Sequence, residues 1–283
     1  MQVAVLESLG RMTLTERSMP SPGVDEVLVR IRAVGICGSD VHYYEHGRIG
    51  RYVVNRPLIL GHEPAGEIVA VGHGVWPRRV GERVAIEPGV PCRRCDYCKR
   101  GATTCVPMWC FWRRHLSMGR SRNIWRCRPD FAHAVSEHLP LAAAALVEPT
   151  AVAVHAARLA HVEPGERCLI FGAGPVGLLL AQVLRASRKA SVGIVDPDAS
   201  RRQLAEQLGV AAYPADAVAD VAGVDAAFDA SGNSRALAAA LRSCGVVVVS
   251  PGPECRCTSV YHRMVLLAPS DSLISAFDLP HQG

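Results

Sequence analysis

At 283 residues, with 49% hydrophobic and 20% charged side chains, the chain has room for two domains and a substantial core, and its composition excludes a disordered or fibrous protein. No basic region precedes an apolar run at residues 1–6, and the longest apolar run, 168–184, is broken by Gly172, Gly174, Pro175, Gly177 and Gln182, so neither a secretory leader nor a membrane span is expected. The net charge of +5 comes from one segment: between Asp96 and Asp130 there are no acids but Lys99, Arg100, Arg113, Arg114, Arg120, Arg122, Arg126 and Arg128, and the rest of the chain is net negative, which argues against a nucleic-acid partner.

Residues 1–90 read as β-rich. Short strands are expected at 3–6, 67–71 and 83–86, and 26–34 alternates apolar and polar at the period of a half-buried strand, with Pro20, Pro22 and Gly23 marking the turn before it. This pattern predicts a small barrel-like β domain. Cys37 follows a strand, flanked by Gly35 and Gly38, which are expected to let the backbone turn around it. If Ser39 starts a short helix it lies one turn from His42, and a hydroxyl followed by an imidazole can hand a proton outward. Ser39 is equally a candidate helix cap. At 60–67, Leu-Gly-His-Glu-Pro-Ala-Gly-Glu sets His62 beside Glu63 on a glycine-bounded turn. With Cys37, these residues offer sulfur, nitrogen and oxygen donors that suit zinc and leave a fourth position open for water or an alcohol. Taken singly, such residues are more often a turn pair and a buried thiol. The remainder of the chain tips the balance.

Eleven cysteines without a leader predict a reducing, cytoplasmic setting, with metal-bound or buried thiols in preference to disulfides. Cys92, Cys95 and Cys98, followed by Cys105, can enclose one tetrahedral zinc with no open position. In 106–128, Trp109, Trp112 and Trp125 stand among six arginines with no period of 2 or 3.6, so this stretch is expected to be neither core, strand nor helix. Order returns at Pro129, and 141–160 predicts one helix in which Glu148 is the only acid, facing either solvent or an internal site.

From Arg167 the pattern becomes α/β. Cys168-Leu169-Ile170-Phe171 suits a buried parallel strand, and it enters Gly172-Ala173-Gly174-Pro175-Val176-Gly177 and a helix over 178–186. A second strand, 191–195, ends in Asp196, nineteen residues after Gly177. Gly172 permits the tight turn, Gly174 lets the backbone approach a pyrophosphate, Gly177 lets the helix lie against the sheet, and Asp196 can accept from both ribose hydroxyls while repelling a 2′-phosphate. The expectation is NAD over NADP. Helices at 199–208 and 234–243 and strands at 224–229 and 246–249 continue the alternation, which fails after Ser250.

The stretch Gly35-Ile36-Cys37-Gly38-Ser39-Asp40, the 60–67 segment, the thiol cluster and the glycine loop, occurring together in this order, resemble the zinc-dependent medium-chain dehydrogenase family. Val41-His42-Tyr43-Tyr44-Glu45-His46-Gly47-Arg48-Ile49-Gly50 and Arg83-Val84-Ala85-Ile86-Glu87-Pro88-Gly89 resemble its polyol branch, the sorbitol and xylitol dehydrogenases. The resemblance implies an α/β protein with a GroES-like catalytic domain over 1–150 and a truncated Rossmann NAD-binding domain over 151–250. It implies that Cys37, His62 and Glu63 hold a catalytic zinc, that Glu148 acts beside the metal or through its water, that Ser39 relays the proton and that Tyr43 contacts the polyol. It further implies that the loop containing Gly172, Gly174, Val176 and Gly177 holds the NAD pyrophosphate, that Asp196 with Arg201 holds the adenosine ribose, and that the protein is a homo-oligomer oxidising a small polyol to a ketose.

Three departures accompany it. Cys105 follows Cys98 at one residue fewer than the family spacing. Codons for 119–128 read two bases later can give Ala-Leu-Ala-Glu-Tyr-Leu-Ala-Val-Pro, the family's sequence there, so 106–128 is expected to be aberrant and translated out of frame. The family's continuation after about residue 245, including an Arg-Tyr substrate clamp, is not recognisable, and 251–283 is expected to be an aberrant tail. These departures make the alternative a catalytically impaired, truncated chain that retains zinc or nucleotide binding.

Overall fold

The computed structural model describes residues 1–49, 52–99, 110–111, 123–220, 223–243, 247–249 and 264–266. The chain divides into two compact units, Met1–Glu148 and Pro149–Gly283.

The first unit opens with an antiparallel hairpin, β1 (Gln2–Ser8) and β2 (Arg11–Glu16). Then come β3 (Val27–Gly35), the helix α1 (Gly38–His46), the short pair β4 (Arg48–Ile49) and β5 (Tyr52–Val53), β6 (Glu63–Val71) and β7 (Arg83–Ile86). A second short pair joins β8 (Gly89–Val90) to β9 (Cys110–Phe111), with α2 (Asp96–Lys99) between them in sequence. The unit continues with β10 (Ile124–Cys127), β11 (Ala132–Ala134) and α3 (Leu141–Ala144). Five strands form one antiparallel sheet in the order β10-β3-β6-β7-β11. Alternate residues of these strands share a face, and Val27, Val29, Ile68, Val84, Ile86 and Trp125 meet in its core. Arg79 ties this core to the chain leading to β11, donating to Glu82 Oε2 and to the carbonyls of Pro129 and Ala132, each at 2.7 Å.

Residues 124–127 correct the expectation that 106–128 holds no strand or core. They pair antiparallel with β3, and Trp125 and Cys127 are fully buried. Arg126 points out between them, 3.1 Å from Glu26. Four residues with one exposed arginine are too few to display a period, and burial came from the partner strand.

The second unit carries α4 (Val147–Leu159), which starts at its boundary, then β12 (Arg167–Phe171), α5 (Pro175–Arg188), β13 (Ser191–Val195), α6 (Ala199–Gln207), β14 (Ala211–Tyr213), β15 (Ala226–Asp229), α7 (Ser234–Ser243), β16 (Val247–Val249) and β17 (Met264–Leu266). The six strands are parallel in the order β14-β13-β12-β15-β16-β17, so the chain reverses its direction of travel across the sheet between β12 and β15. Ligands of such sheets bind beyond the carboxyl ends of the strands at that reversal. Leu169, Phe171, Ala227 and Leu237 pack on one side of the sheet, and Ile170, Leu180, Leu184 and Phe228 on the other.

Two further expectations change. The single helix over 141–160 is two helices, because Pro149 has no N–H to donate and is tolerated only in a first turn, where α4 places it. The tail after Ser250 supplies a strand, β17, in register with β16. Among the described residues no helix is long and apolar enough to cross a membrane.

Candidate metal and nucleotide sites

Cys37 is the extended residue that caps α1, and Asp40 is the third residue of that helix. The buried Asp40 carboxylate accepts from the Cys37 N–H at 3.1 Å and from the Gly61 N–H at 3.2 Å, and lies 3.5 Å from His62 Nδ1. One side chain thus ties the thiol-bearing cap to the Gly61 turn that carries His62, with its carboxylate beside the imidazole. The sheet brings the third group: in the register of β3 and β6, Glu63 stands directly opposite Gly35. One ligand atom each from Cys37, His62 and Glu63 lie within 4.8 Å of one another. His62 and Glu63 are each 6% exposed and Cys37 is half-buried.

The local structure differs from the sequence reading in three respects. Glu63 opens a strand instead of sitting on a turn, and the turn is made by Gly61 at φ 84°. The cap is Cys37, with Ser39 inside the helix. At Gly38 an added Cβ would meet nothing within 4 Å and φ is not left-handed, so the turn does not require glycine there.

Ser39 and His42 lie three residues apart on α1, both half-buried, and the His42 ring meets that of the exposed His46 edge-on at 4.4 Å. Tyr43 is 6% exposed, with its ring in a cluster with Leu6, Leu58 and Leu60. Glu148 is the second residue of α4, half-buried, and is not part of the donor group. Asp40 was passed over in the sequence. Its signal was a carboxylate one helical turn after Cys37, at the helix position where an acid can reach back to the cap N–H.

The second donor group is local. The sulfurs of Cys92, Cys95 and Cys98 lie within 4.8 Å of one another, with Cys98 3.8 Å from Cys92 and 3.7 Å from Cys95. The Arg94 and Cys95 backbone N–H groups draw the Cys92 thiol from its ordinary 9.0 down to about 7, while desolvation and the neighbouring sulfurs push Cys98 up. Arg93, at φ 60°, donates to Asp130 and stacks over the Phe131 ring at 5.3 Å. Burial acts to raise the Asp130 carboxyl, but Arg93 and Arg128 outweigh it and hold it below its usual range. Cys105, expected as the fourth ligand, lies outside the described residues.

In the second unit the loop after β12 has the shape expected of a phosphate cradle. Gly172 has φ 105°, and its missing side chain lets the backbone of Ala230 and Ser231 approach, since a Cβ there would lie 3.0 Å from both. A Cβ on Gly177 would lie 1.9 Å from Gly172 O, whereas in front of Gly174 there is nothing within 4 Å. Val176 is half-buried in the first turn of α5. Asp196, 3% exposed at the end of β13, accepts from the Ala173 N–H at 2.8 Å and the Asp198 N–H at 2.9 Å, and Arg201 Nη1 lies 3.8 Å away. Its carboxylate holds the glycine loop itself, which the sequence reading did not foresee. At the end of β15, Asp229 Oδ1 accepts from both Ser231 N and Oγ, and burial raises its carboxyl.

A sulfur, a nitrogen and an oxygen donor converging in a mostly buried group fit a zinc ion, and the open face before Gly174 fits a dinucleotide pyrophosphate. Residues 23–137 match the family model of the alcohol dehydrogenase GroES-like domain. Sorbitol dehydrogenase of Bacillus subtilis (strain 168) is 39% identical over 253 residues, 86% of this chain and 72% of that protein. The chain belongs to the zinc-dependent medium-chain dehydrogenase family, in its polyol branch. This dehydrogenase chain is also 40% identical to the probable D-xylulose reductase A of Aspergillus clavatus over 227 residues, 80% of this chain and 62% of that one, so it spans less than two thirds of that relative. A putative zinc-binding dehydrogenase from Sinorhizobium meliloti 1021, solved bound to NADP, superimposes with a TM-score of 0.83 at 26% identity, covering 92% of this chain and 79% of that one. Its membership fixes an oxidoreductase ancestry and the GroES-like and Rossmann-like architecture.

Proposed function

We propose that the protein oxidises a secondary alcohol of a polyol of the sorbitol or xylitol type to a ketose, passing the hydride to NAD. The observation that carries this reading is the convergence of Cys37, His62 and Glu63 within 4.8 Å, behind which Asp40 accepts from both the Cys37 and Gly61 N–H groups. Cys37, His62 and Glu63 would hold the zinc, and Cys92, Cys95 and Cys98 a second, structural one. A zinc ion supplies a Lewis acid that lowers the pKa of a bound hydroxyl, and a nicotinamide dinucleotide supplies the hydride acceptor.

The chain's own residues do the rest. Ser39 accepts the proton of the substrate hydroxyl and passes it to His42, whose contact with the exposed His46 leads towards solvent. With zinc bound, Glu148 would order water beside it, and Tyr43 would take part in binding the polyol. The backbone around Gly174 and Val176 receives the pyrophosphate at the start of α5, where helix N–H groups favour anions. Asp196, already aligned by the Ala173 and Asp198 N–H groups, accepts the adenosine ribose hydroxyls, with Arg201 beside it. Its charge supports NAD over NADP.

The test is to express the full chain, measure zinc content, and follow NADH formation with sorbitol, xylitol and simple alcohols. Polyol-dependent NADH formation that is lost on chelation supports the reading. Tight NAD binding with zinc present and no polyol oxidised sinks it, and favours a chain that keeps ligand binding without turnover.

A further inference from the structure

We propose that Gly35 is a positioning residue for the Glu63 carboxylate: the side chain missing at 35 is the space through which that carboxylate reaches the metal donor set. The inference rests on the reading of Cys37, His62 and Glu63 as zinc ligands.

Gly35 is the last residue of β3 and pairs with Glu63, the first of β6. Side chains directly opposite in an antiparallel pair ordinarily stand side by side, with Cβ atoms about 4.5–5.5 Å apart. Here the Glu63 chain lies across its partner instead. A Cβ built on Gly35 would fall 1.9 Å from Glu63 Oε2 and 3.0 Å from its Cβ and Cδ. The φ of Gly35 is not left-handed, so no backbone strain calls for glycine at this position. What remains is the volume that the carboxylate fills.

The kind of atom met there separates Gly35 from Gly66 and Gly72 of the same unit, and likens it to Gly23 and Gly74, where a Cβ would also meet a carboxylate oxygen first. At Gly66 a Cβ would meet Arg30 O at 2.1 Å, and at Gly72 it would meet Gly23 O at 1.8 Å, both rigid backbone. At Gly35 the severe overlap is with the far end of a rotatable side chain, and the 3.0 Å approach to the Glu63 Cβ asks the strand pair to give by only a few tenths of an ångström. Gly35→Ala is therefore absorbed by moving the carboxylate, which leaves the sheet intact and takes the oxygen donor from the sulfur and the imidazole. Gly38, with open space in front of it on the other side of Cys37, is the control.

The experiment is a cobalt(II) titration of the full chain by visible absorption, in which subtraction of the Cys37→Ala variant removes the signal of the Cys92, Cys95 and Cys98 loop. Gly35→Ala is expected to weaken the Cys37-dependent site at least about tenfold, the scale on which misplacing a ligand's support acts. The metal-free variant should melt within about 2 °C of the unsubstituted chain, and Gly38→Ala should leave cobalt affinity unchanged. In a Glu63→Ala background, Gly35→Ala should change affinity by less than about twofold, because the two substitutions act on one group. An undiminished affinity in Gly35→Ala, a tenfold loss that persists without the Glu63 carboxylate, or a variant that no longer folds each overturns the proposal. A chain with no Cys37-dependent cobalt signal at all overturns the zinc reading first, and this inference with it.

Discussion

Cys37, His62 and Glu63 are gathered from a helix cap and from the two residues that lead into and open a strand, 25 and 26 residues later, and two of the three are buried. Cys92, Cys95 and Cys98 lie within one half-exposed loop of seven residues, pinned from outside by Arg93 on Asp130 and Phe131. The first group exists only because β3 and β6 pair in one register and Asp40 bridges the Cys37 and Gly61 N–H groups. The second exists through its own short chain and one arginine. A site assembled by tertiary register keeps a fixed open face for chemistry, whereas a local thiol loop closes on its metal and stiffens its surroundings. The two should therefore respond differently to the same kind of damage.

The largest effect is expected for Cys37→Ala, which should reduce polyol oxidation to background and lower zinc content by one equivalent while the thiol loop keeps its metal. Metal analysis beside an NADH assay reads both, and loss of both zincs together would erase the distinction between the sites. Next, Asp40→Asn keeps the volume but removes the charge beside His62, and should weaken metal binding at the first group about 10–100-fold without touching the second. Competition with a chromophoric chelator measures it.

Arg93→Ala reverses the asymmetry. It should loosen the thiol loop, raising the rate of zinc release from it several-fold and leaving the Cys37 group unaffected. Its ion pair with Asp130 is half-exposed, so the cost to global stability should be under about 1 kcal/mol, read by thermal unfolding. The smallest effect is a pH dependence in the metal-free protein. Because the thiolate is the nucleophile and Cys92 is drawn down to about 7, its alkylation should be slow below that pH, half-maximal near it and fully developed above it. Peptide mapping after iodoacetamide treatment across pH 5 to 10 follows it, and a midpoint close to 9 would show that the backbone N–H groups of Arg94 and Cys95 do not act on that sulfur.

Much of this was written along the chain. The strands at 83–86 and 191–195 and the helix at 234–243 emerge with the bounds that the sequence pattern predicts, because short β-branched runs suit strands and an alanine- and leucine-rich run suits a helix. The glycine loop after β12 was legible as a strand, three glycines and a helix in fixed order. The thiol loop was legible because its spacing is local. Where the sequence misled, a neighbour decided: Ile124–Cys127 became a strand because β3 offered an edge, and Met264–Leu266 because β16 did.

The sequence by itself determined which atoms were on offer: one thiol after a strand, an imidazole and a carboxylate side by side, an acid after the second parallel strand. Register and burial, which no local pattern encodes, decided what they do together. Only the pairing of β3 with β6 sets Glu63 over the bare backbone of Gly35, only the fold buries the Asp40 carboxylate between the Cys37 and Gly61 N–H groups, and only the packed sheet turns Asp196 back onto the Ala173 N–H of the glycine loop. The reason is that a strand's partner is set by contacts far away in sequence, and a one-residue slip of β6 on β3 would turn Glu63 to the opposite face.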